Sequence, residues 1–291
     1  MTKIGLVGPG RVGRAIVGLL PANRYRLRYV VSRGLRGARR AVREIQAGEA
    51  TADLSLLDEC GIILITTPSE AITEVVKSLA LAKIDWSTKV LLAVSGLVDT
   101  SAFAALTAVG ASVGTIYPLY SFQSPPTSLS GVQFAIEGEP VAMRTARKLI
   151  ASLGAEYQLV TPQEKLQAAV ALSIASDFSA GVYEAAVAAA VQAGFRRKRI
   201  QPVVRDLIER SLSDYSQSSK NIRPDSILSG NDDDLGTYVA AARRGVRIGN
   251  YYEAIANPTL DIIRGESATT QADDSSIDAS VARAARAAAG S

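Results

Sequence analysis

Short unbroken apolar runs alternate with amphipathic stretches over the first 160 residues, and no other feature constrains the fold as tightly. Residues 3–8 read as a buried strand and residues 11–20 as a helix, with Pro21 ending the turn after it. Leu27–Ser32 reads as a second strand and Arg36–Ala47 as a helix. Gly61–Thr67 is continuously apolar, the mark of a parallel strand covered on both faces. Ser69–Leu81 follows as a helix, with Ser69 as N-cap and Ile72, Val75, Val76 and Leu79 on one side. Lys89–Val94, Ser112–Ile116 and Val132–Ile136 complete the strands, and Thr100–Val109 and Val141–Leu153 the helices. Strict strand–helix alternation predicts a doubly wound parallel α/β sheet, a Rossmann arrangement, over residues 1–160.

The pattern changes at Thr161. Thr161-Pro162-Gln163-Glu164 offers an N-cap, a proline at the first helical position and a capping-box glutamate. Nothing strong stops this helix before Gly194, although Gly181 is a place to bend, so its expected length is roughly 45–50 Å. Only helices are expected after it: Pro202–Leu212, Leu235–Arg244 and Tyr251–Arg264. Asp232-Asp233-Asp234 fits a helix N-terminus better than a hard-cation site. The expected organisation is a dinucleotide-binding domain at 1–160, an all-α domain at 161–265 serving substrate and dimerisation, and a flexible Ala/Ser/Asp-rich tail at 266–291.

The first strand runs into Gly8-Pro9-Gly10-Arg11-Val12-Gly13, a G-x-G-x-x-G that opens a helix. In that context it is a dinucleotide fingerprint. The first glycine makes the tight turn, the second admits the pyrophosphate, and the third lets helix and strand pack closely. The helix N-terminus then faces the phosphates with free N–H groups. NAD sites place a carboxylate about 20 residues further on, to hold the ribose 2′-hydroxyl. Here that place reads Val31-Ser32-Arg33-Gly34-Leu35-Arg36, with no acid. Ser32, Arg33 and Arg36 suit a 2′-phosphate, so the cofactor expected is NADP(H) rather than NAD(H).

Charge supports a phosphate ligand. Residues 1–43 carry ten Arg, one Lys and no acid. A nucleic-acid site is the competing reading of such a patch. No helix-turn-helix, zinc finger or aromatic platform accompanies it, and nucleic acid is not the expected partner. The chain has no His and a single Cys, Cys60, which removes His-based nucleophile systems, a disulfide framework and a zinc site. No metal is expected, and any proton donor must be Tyr, Lys, Asp, Glu or water. No apolar run reaches the ~18 residues of a membrane span, and the N-terminus lacks a signal-peptide pattern, so a cytoplasmic protein is expected.

Ligands of such sheets lie beyond the carboxyl ends of the strands. Thr67-Pro68, Ser95-Gly96 and Tyr117-Pro118 stand at three of those ends. Thr67, Pro68 and Ser95 are expected near the cofactor's ribose and nicotinamide, with Ser95 also a candidate in catalysis. Tyr117 is a candidate proton donor or, equally, a ring capping the core. On the long helix, Ser173, Ser176 and Asp177 share one side, with Glu184 further along. Asp177 is the second candidate acid.

These motifs, in order, resemble a bacterial family of Rossmann-like oxidoreductases whose helical domain is similar to that of 6-phosphogluconate dehydrogenase. The wider group includes pyrroline-5-carboxylate reductases, imine reductases and β-hydroxyacid dehydrogenases. The resemblance rests on Ile4–Gly13, Val30–Arg33, Thr67-Pro68, Ser95-Gly96, Tyr117-Pro118-Leu119, Leu129–Glu137, Ala175-Ser176-Asp177 and Leu228-Ser229-Gly230. It covers about residues 3–264. It implies NADPH-dependent reduction of a small carbonyl or imine substrate by a homodimer. Relatives usually carry His at the place of Tyr117, a Tyr-His pair near Ala168 and Ala169, and Asn at Asp177. The cofactor motifs transfer and those catalytic residues do not. Either Tyr117 or Asp177 supplies the proton, or the chain binds NADP(H) without catalysis, as a sensor or partner subunit.

Overall fold

The computed structural model describes residues 1–217 together with 254 and 255. Eight strands form one sheet: β1 Thr2–Val7, β2 Tyr25–Val31, β3 Glu49–Thr51, β4 Ile62–Ile65, β5 Val90–Val94, β6 Ser112–Pro118, β7 Gln133–Gly138 and β8 Glu156–Leu159. Their order is β3-β2-β1-β4-β5-β6-β7-β8. The first six stand 3-2-1-4-5-6, all parallel, as in a Rossmann sheet. The helices are α1 Arg11–Leu19, α2 Leu35–Ile45, α3 Ser69–Leu81, α4 Ala104–Thr107, α5 Pro140–Ser152, α6 Pro162–Ser173, α7 Ser179–Gln192 and α8 Arg197–Gln217. The expected α/β class with a helical C-terminal region is what the chain adopts.

Continuous apolar strands follow from burial on both faces. In β4, Ile62 and Leu64 enter one core with Ile4, Leu6, Ile16 and Leu92. Ile63 and Ile65 enter the other with Val7, Ile72, Val76 and Leu79. Neighbouring residues of a strand point to opposite faces, so each layer takes every second side chain. Burying each such side chain contributes about 1.5–3 kcal/mol.

Five details differ from expectation. Strands β3 and β8 were not expected: β3 has three residues, and β8 is an exposed edge strand without an apolar face. The sheet does not continue in parallel past β6, because β7 runs antiparallel to it. The chain between them contains no helix, and parallel return needs a crossover, usually helical. Ser69 does not cap α3; Pro68 occupies that position, and the Ser69 hydroxyl meets that of Ser95 at 3.2 Å. Pro202 lies inside α8 rather than at its start. Of the expected helix Thr100–Val109, a 3₁₀ turn forms Thr100–Phe103 before the short α4.

The capping box is present: Glu164 N–H donates to Thr161 Oγ1 at 3.3 Å, and Thr161 N–H donates to Glu164 Oε2 at 2.7 Å. The long helix is interrupted by a π-turn at Ile174–Phe178, not by a bend at Gly181. The chain divides into two compact units, Met1–Phe178 and Ser179–Ser291. In the first, α6 lies against β7. In the second, α7 packs on α8, with Glu184 and Arg197 forming an ion pair and Val187 and Val204 buried. One helical stretch, Pro162–Gln192, is long and apolar enough by length and composition to cross a membrane, where none was expected. Its start is tied into the sheet through the buried Lys165. The expected helices Leu235–Arg244 and Tyr251–Arg264, the Asp232–Asp234 run and the tail lie outside the described residues.

Candidate active site

The carboxyl ends of β1, β2, β4, β5 and β6 converge where the strand order reverses, between β1 and β4. At the first, Gly8 has φ +76°, a conformation only glycine adopts freely, and the Gly10 N–H closes the turn on the Gly8 carbonyl at 2.7 Å. A Cβ on Gly8 would stand 2.8 Å from the Thr67 nitrogen and 2.9 Å from its Cα. A Cβ on Gly13 would collide with Thr66 Oγ1. The turn and α1 are thereby seated on the end of β4. Thr66 locks the seat by donating its hydroxyl to the Gly8 carbonyl at 2.5 Å.

Gly10 differs from its two companions. Its nearest outside neighbour is the Thr66 carbonyl oxygen, 3.6 Å from a built Cβ. The protein leaves space there, so a Cβ would obstruct only a ligand. Gly10 is also the N-cap of α1, with no side-chain cap and no acid in the first turn. The leading N–H groups of that helix precede its first intrahelical bond. On Thr67, which packs against Gly8, the hydroxyl is buried with no hydrogen-bond partner among the described residues. An orphan hydroxyl, an open glycine and an uncapped helix end fit a dinucleotide pyrophosphate and its ribose. Pro68 follows and starts α3.

At the end of β2, Ser32 is half-buried, and Arg33 and Arg36 are exposed. Gly34 caps α2 without a side chain, and the first turn of that helix also lacks an acid. Neither Arg33 nor Arg36 has a carboxylate within 4.0 Å among the described residues, whereas Arg14 and Arg40 both pair with Glu44. Two unpaired guanidinium groups beside a helix N-terminus suit a 2′-phosphate. Arg11 extends away from its own turn and donates to Gln123 Oε1 at 2.9 Å, in the β6–β7 connection.

Ser95 is buried and its hydroxyl is engaged: it accepts from the N–H groups of Leu97 and Val98, both at 3.1 Å. With the Ser69 contact, it shapes the turn after β5 rather than offering a free hydroxyl. Gly96 comes next. A Cβ there would stand 2.8 Å from Ala169 Cβ and 2.9 Å from Tyr117 Cε2 and Cζ. The Tyr117 ring and Ala169 of α6 therefore both lie against Gly96.

Tyr117 lies in this slot, and the charge of Asp177, sixty residues on in sequence, acts on its hydroxyl. Burial, and then the Asp177 charge, push the Tyr117 hydroxyl above its ordinary pKa. Asp177 sits in the π-turn and accepts from Ser173 Oγ at 3.1 Å. Ser176 Oγ donates chiefly to the Leu172 carbonyl, at 2.7 Å. The expected polar stripe thus exists. The π-turn within it gave no sequence signal, and such turns concentrate at functional sites.

One cluster was not anticipated. Lys165 is 1% exposed and Glu137 is 6% exposed. Lys165 Nζ donates to the Val98 carbonyl at 2.6 Å, to Thr115 Oγ1 at 2.5 Å and to Glu137 Oε1 at 2.9 Å. Thr115 in turn donates to Glu137 Oε1 at 2.8 Å. Burial lowers the Lys165 pKa, and Glu137 and Asp99 oppose it. The available signal was Thr115 and Glu137, polar residues inside otherwise apolar strands that pair in register.

Residues 3–95 match the model described as NADP oxidoreductase coenzyme F420-dependent, and residues 132–223 match a domain of unknown function, DUF2520. No curated protein matches the chain. Among solved structures, the chain is similar to a Bacteroides fragilis protein described as an NADP oxidoreductase, at TM-score 0.71 and 14% identity, covering 89% of this chain and 98% of that one. It is similar to the 1-pyrroline-5-carboxylate reductase of Streptococcus pyogenes, at TM-score 0.61 and 16% identity, covering 91% and 98%. It is also similar to an Aspergillus terreus reductive aminase solved with NADPH and ethyl levulinate, at TM-score 0.65 and 14% identity, covering 89% and 94%. At these identities the likeness is one of fold.

Fold, glycine turn and family match together define a Rossmann-like oxidoreductase. Within it, residues 3–95 match the NADP oxidoreductase model and carry the glycine turn, and residues 132–223, matching the domain of unknown function, run into the helical C-terminal region.

Proposed function

We propose that this protein reduces a small carbonyl or imine compound at the expense of NADPH. The Tyr117 ring held against Gly96, next to the strand ends of the dinucleotide site and with the Asp177 charge acting on its hydroxyl, carries this reading. Bound NADPH supplies hydride to the substrate carbon, and the protein supplies position and the proton. The leading N–H groups of α1, the space at Gly10 and the Thr67 hydroxyl hold the pyrophosphate side. Ser32, Arg33 and Arg36 hold the 2′-phosphate. Tyr117, kept protonated by burial and by Asp177, donates its hydroxyl proton to the substrate oxygen or nitrogen. Asp177, exposed and steadied by Ser173, returns a proton to Tyr117 from solvent or binds a cationic substrate nitrogen.

Homodimerisation belongs to the same proposal. Within the first unit, Val170, Ile174 and Phe178 of the α6 region are exposed apolar side chains; within the second, Val191 and Phe195 are. Burial of such surface between two copies is the ordinary remedy. Light scattering at micromolar concentration tests it, and a monomer mass refutes it.

The deciding experiment is NADPH binding by calorimetry, followed by loss of its near-ultraviolet absorbance over a panel of ketones, keto acids and imines. Binding with turnover establishes the reductase. Binding without turnover across the panel replaces it with an NADP(H)-binding sensor, a reading that the absence of histidine favours.

A further inference from the structure

Three elements, α6, β6 and the Ser95–Asp99 turn, meet twice along α6, and β7 joins them at the first meeting. At Lys165 they are tied by charge and hydrogen bonds: the helix itself, β6 through Thr115, β7 through Glu137, and the Ser95–Asp99 turn through Val98. One helical turn further on, Ala169 faces Gly96 of that turn and the Tyr117 ring of β6. Thr115 and Tyr117 are alternate residues of one strand and share a face. Lys165 and Ala169 are four apart on one helix and share a side. The lower contact therefore fixes the width of the upper one.

We propose that Lys165 is a positioning residue, which pins α6 to β6, β7 and the Ser95–Asp99 turn and thereby sets the slot that holds the Tyr117 ring between Gly96 and Ala169. Lys165 does not touch the reacting atoms in this arrangement. Its ammonium is sealed at 1% exposure and all three of its protons are taken by Val98, Thr115 and Glu137. The groups facing it are Glu137 on β7, Thr115 on β6 and Asp99 in the turn, so its charge is met from every side that packs on it. A lysine held this way is a fixed strut and not a mobile proton carrier. The catalytic part of the proposal rests on Tyr117 as the proton donor; the geometric part does not.

The test uses the full chain and two variants. Lys165→Met with Glu137→Leu removes both charges, so that neither is left buried alone. Glu137→Gln keeps the shape and an oxygen to accept from Lys165 but removes its counter-charge. Tyr117 ionisation is read as the alkaline ultraviolet difference between each background and the same background carrying Tyr117→Phe. The double variant is expected to bind NADPH within about twofold of wild type, because the dinucleotide turn lies outside the cluster. Its Tyr117 transition is expected to move down towards ordinary tyrosine as the slot opens to water. Turnover is expected to fall about 10- to 100-fold in kcat with little change in KM, the size of effect that a misplacement of about 1 Å produces. Glu137→Gln is expected to fall between the two, and it carries the test if the double variant does not fold. A folded variant whose Tyr117 titrates as in wild type overturns the proposal. Absence of wild-type turnover on every substrate overturns the reductase reading, while the titration still decides the role of Lys165.

Discussion

Thr66 donates its hydroxyl to the Gly8 carbonyl at 2.5 Å, and the same hydroxyl occupies the space a side chain on Gly13 would need. Thr66 thus makes Gly13 obligatory for the fold, the positive φ and the Thr67 backbone do the same for Gly8, and Gly10 is left for the ligand. Gly8→Ala forces a left-handed φ on a residue with a Cβ and drives it into Thr67 backbone; the expected cost is about 2–4 kcal/mol. Gly10→Ala meets only ordinary contacts and is expected to melt as wild type does. Its NADPH affinity is expected to fall at least tenfold. Thermal melts paired with calorimetry separate the two, and a Gly10→Ala protein with undiminished affinity refutes the assignment of the pyrophosphate site.

Cofactor choice is expected to reside in Arg33 and Arg36. Hydrogen bonds to charged groups are worth about 1.5–3 kcal/mol each, so Arg33→Ala is expected to weaken NADPH about 10- to 150-fold. NADH, which lacks the 2′-phosphate, should change little. Parallel fluorescence titrations with both cofactors check this; equal losses for the two would show that Arg33 does not read the phosphate.

Tyr117 has its hydroxyl pKa raised, first by burial and then by Asp177. Tyr117→Phe is expected to lower kcat by about 10²–10⁴-fold with NADPH affinity retained. The sign of the linked stability effect follows from the direction of the shift. A raised folded pKa stabilises the protein fully below the unfolded value and loses that contribution as pH rises through the folded value. Chemical denaturation from pH 9 upward should therefore show a decline that is shallower in Tyr117→Phe.

At the opposite end of the sheet Glu59 is held down to a pKa of about 2, by Tyr29 first and then by Lys3 and Arg28. Tyr29 donates to Glu59 Oε1 at 2.8 Å, and Lys3 and Arg28 approach its other oxygen at 3.1 and 3.3 Å. A depressed folded pKa contributes stability above the unfolded value, which is lost as pH falls through the folded one. Wild type should lose melting temperature between the ordinary glutamate range and about pH 2. Glu59→Gln should start lower and fall less steeply over that interval. Identical slopes would show that this carboxylate does not couple to folding.

Much of the sheet domain was legible because its periodicities are local. A strand covered on both faces must be apolar throughout, and Ile62–Ile65 is. A helix packed on one side repeats its apolar residues, and Ile72, Val76 and Leu79 do. Capping chemistry at Thr161 needs only four consecutive residues. Strand β8 escaped notice because an exposed edge imposes no apolar pattern, and the reversal at β7 because direction is set by what the connection can span. Ser69 and Ser95 look like a cap and a site hydroxyl when read alone, and they turn out to serve each other. A large ring at Tyr117 faces Gly96 together with the small Ala169, a matching of volumes between distant segments that one sequence does not announce.

The sequence by itself determined the Rossmann alternation, the glycine turn and the absence of an acid after β2, and with them the class of cofactor. Each rests on residues close together in the chain, where backbone geometry and hydrogen-bond reach are set by spacing. Only the tertiary structure decided that Tyr117 packs on Gly96 within reach of the Asp177 charge, that Lys165 is sealed against Glu137, and that the Thr67 hydroxyl has no partner among the described residues. Those pairings are made by strand order and helix packing between distant segments, and no local rule of propensity or periodicity carries that information.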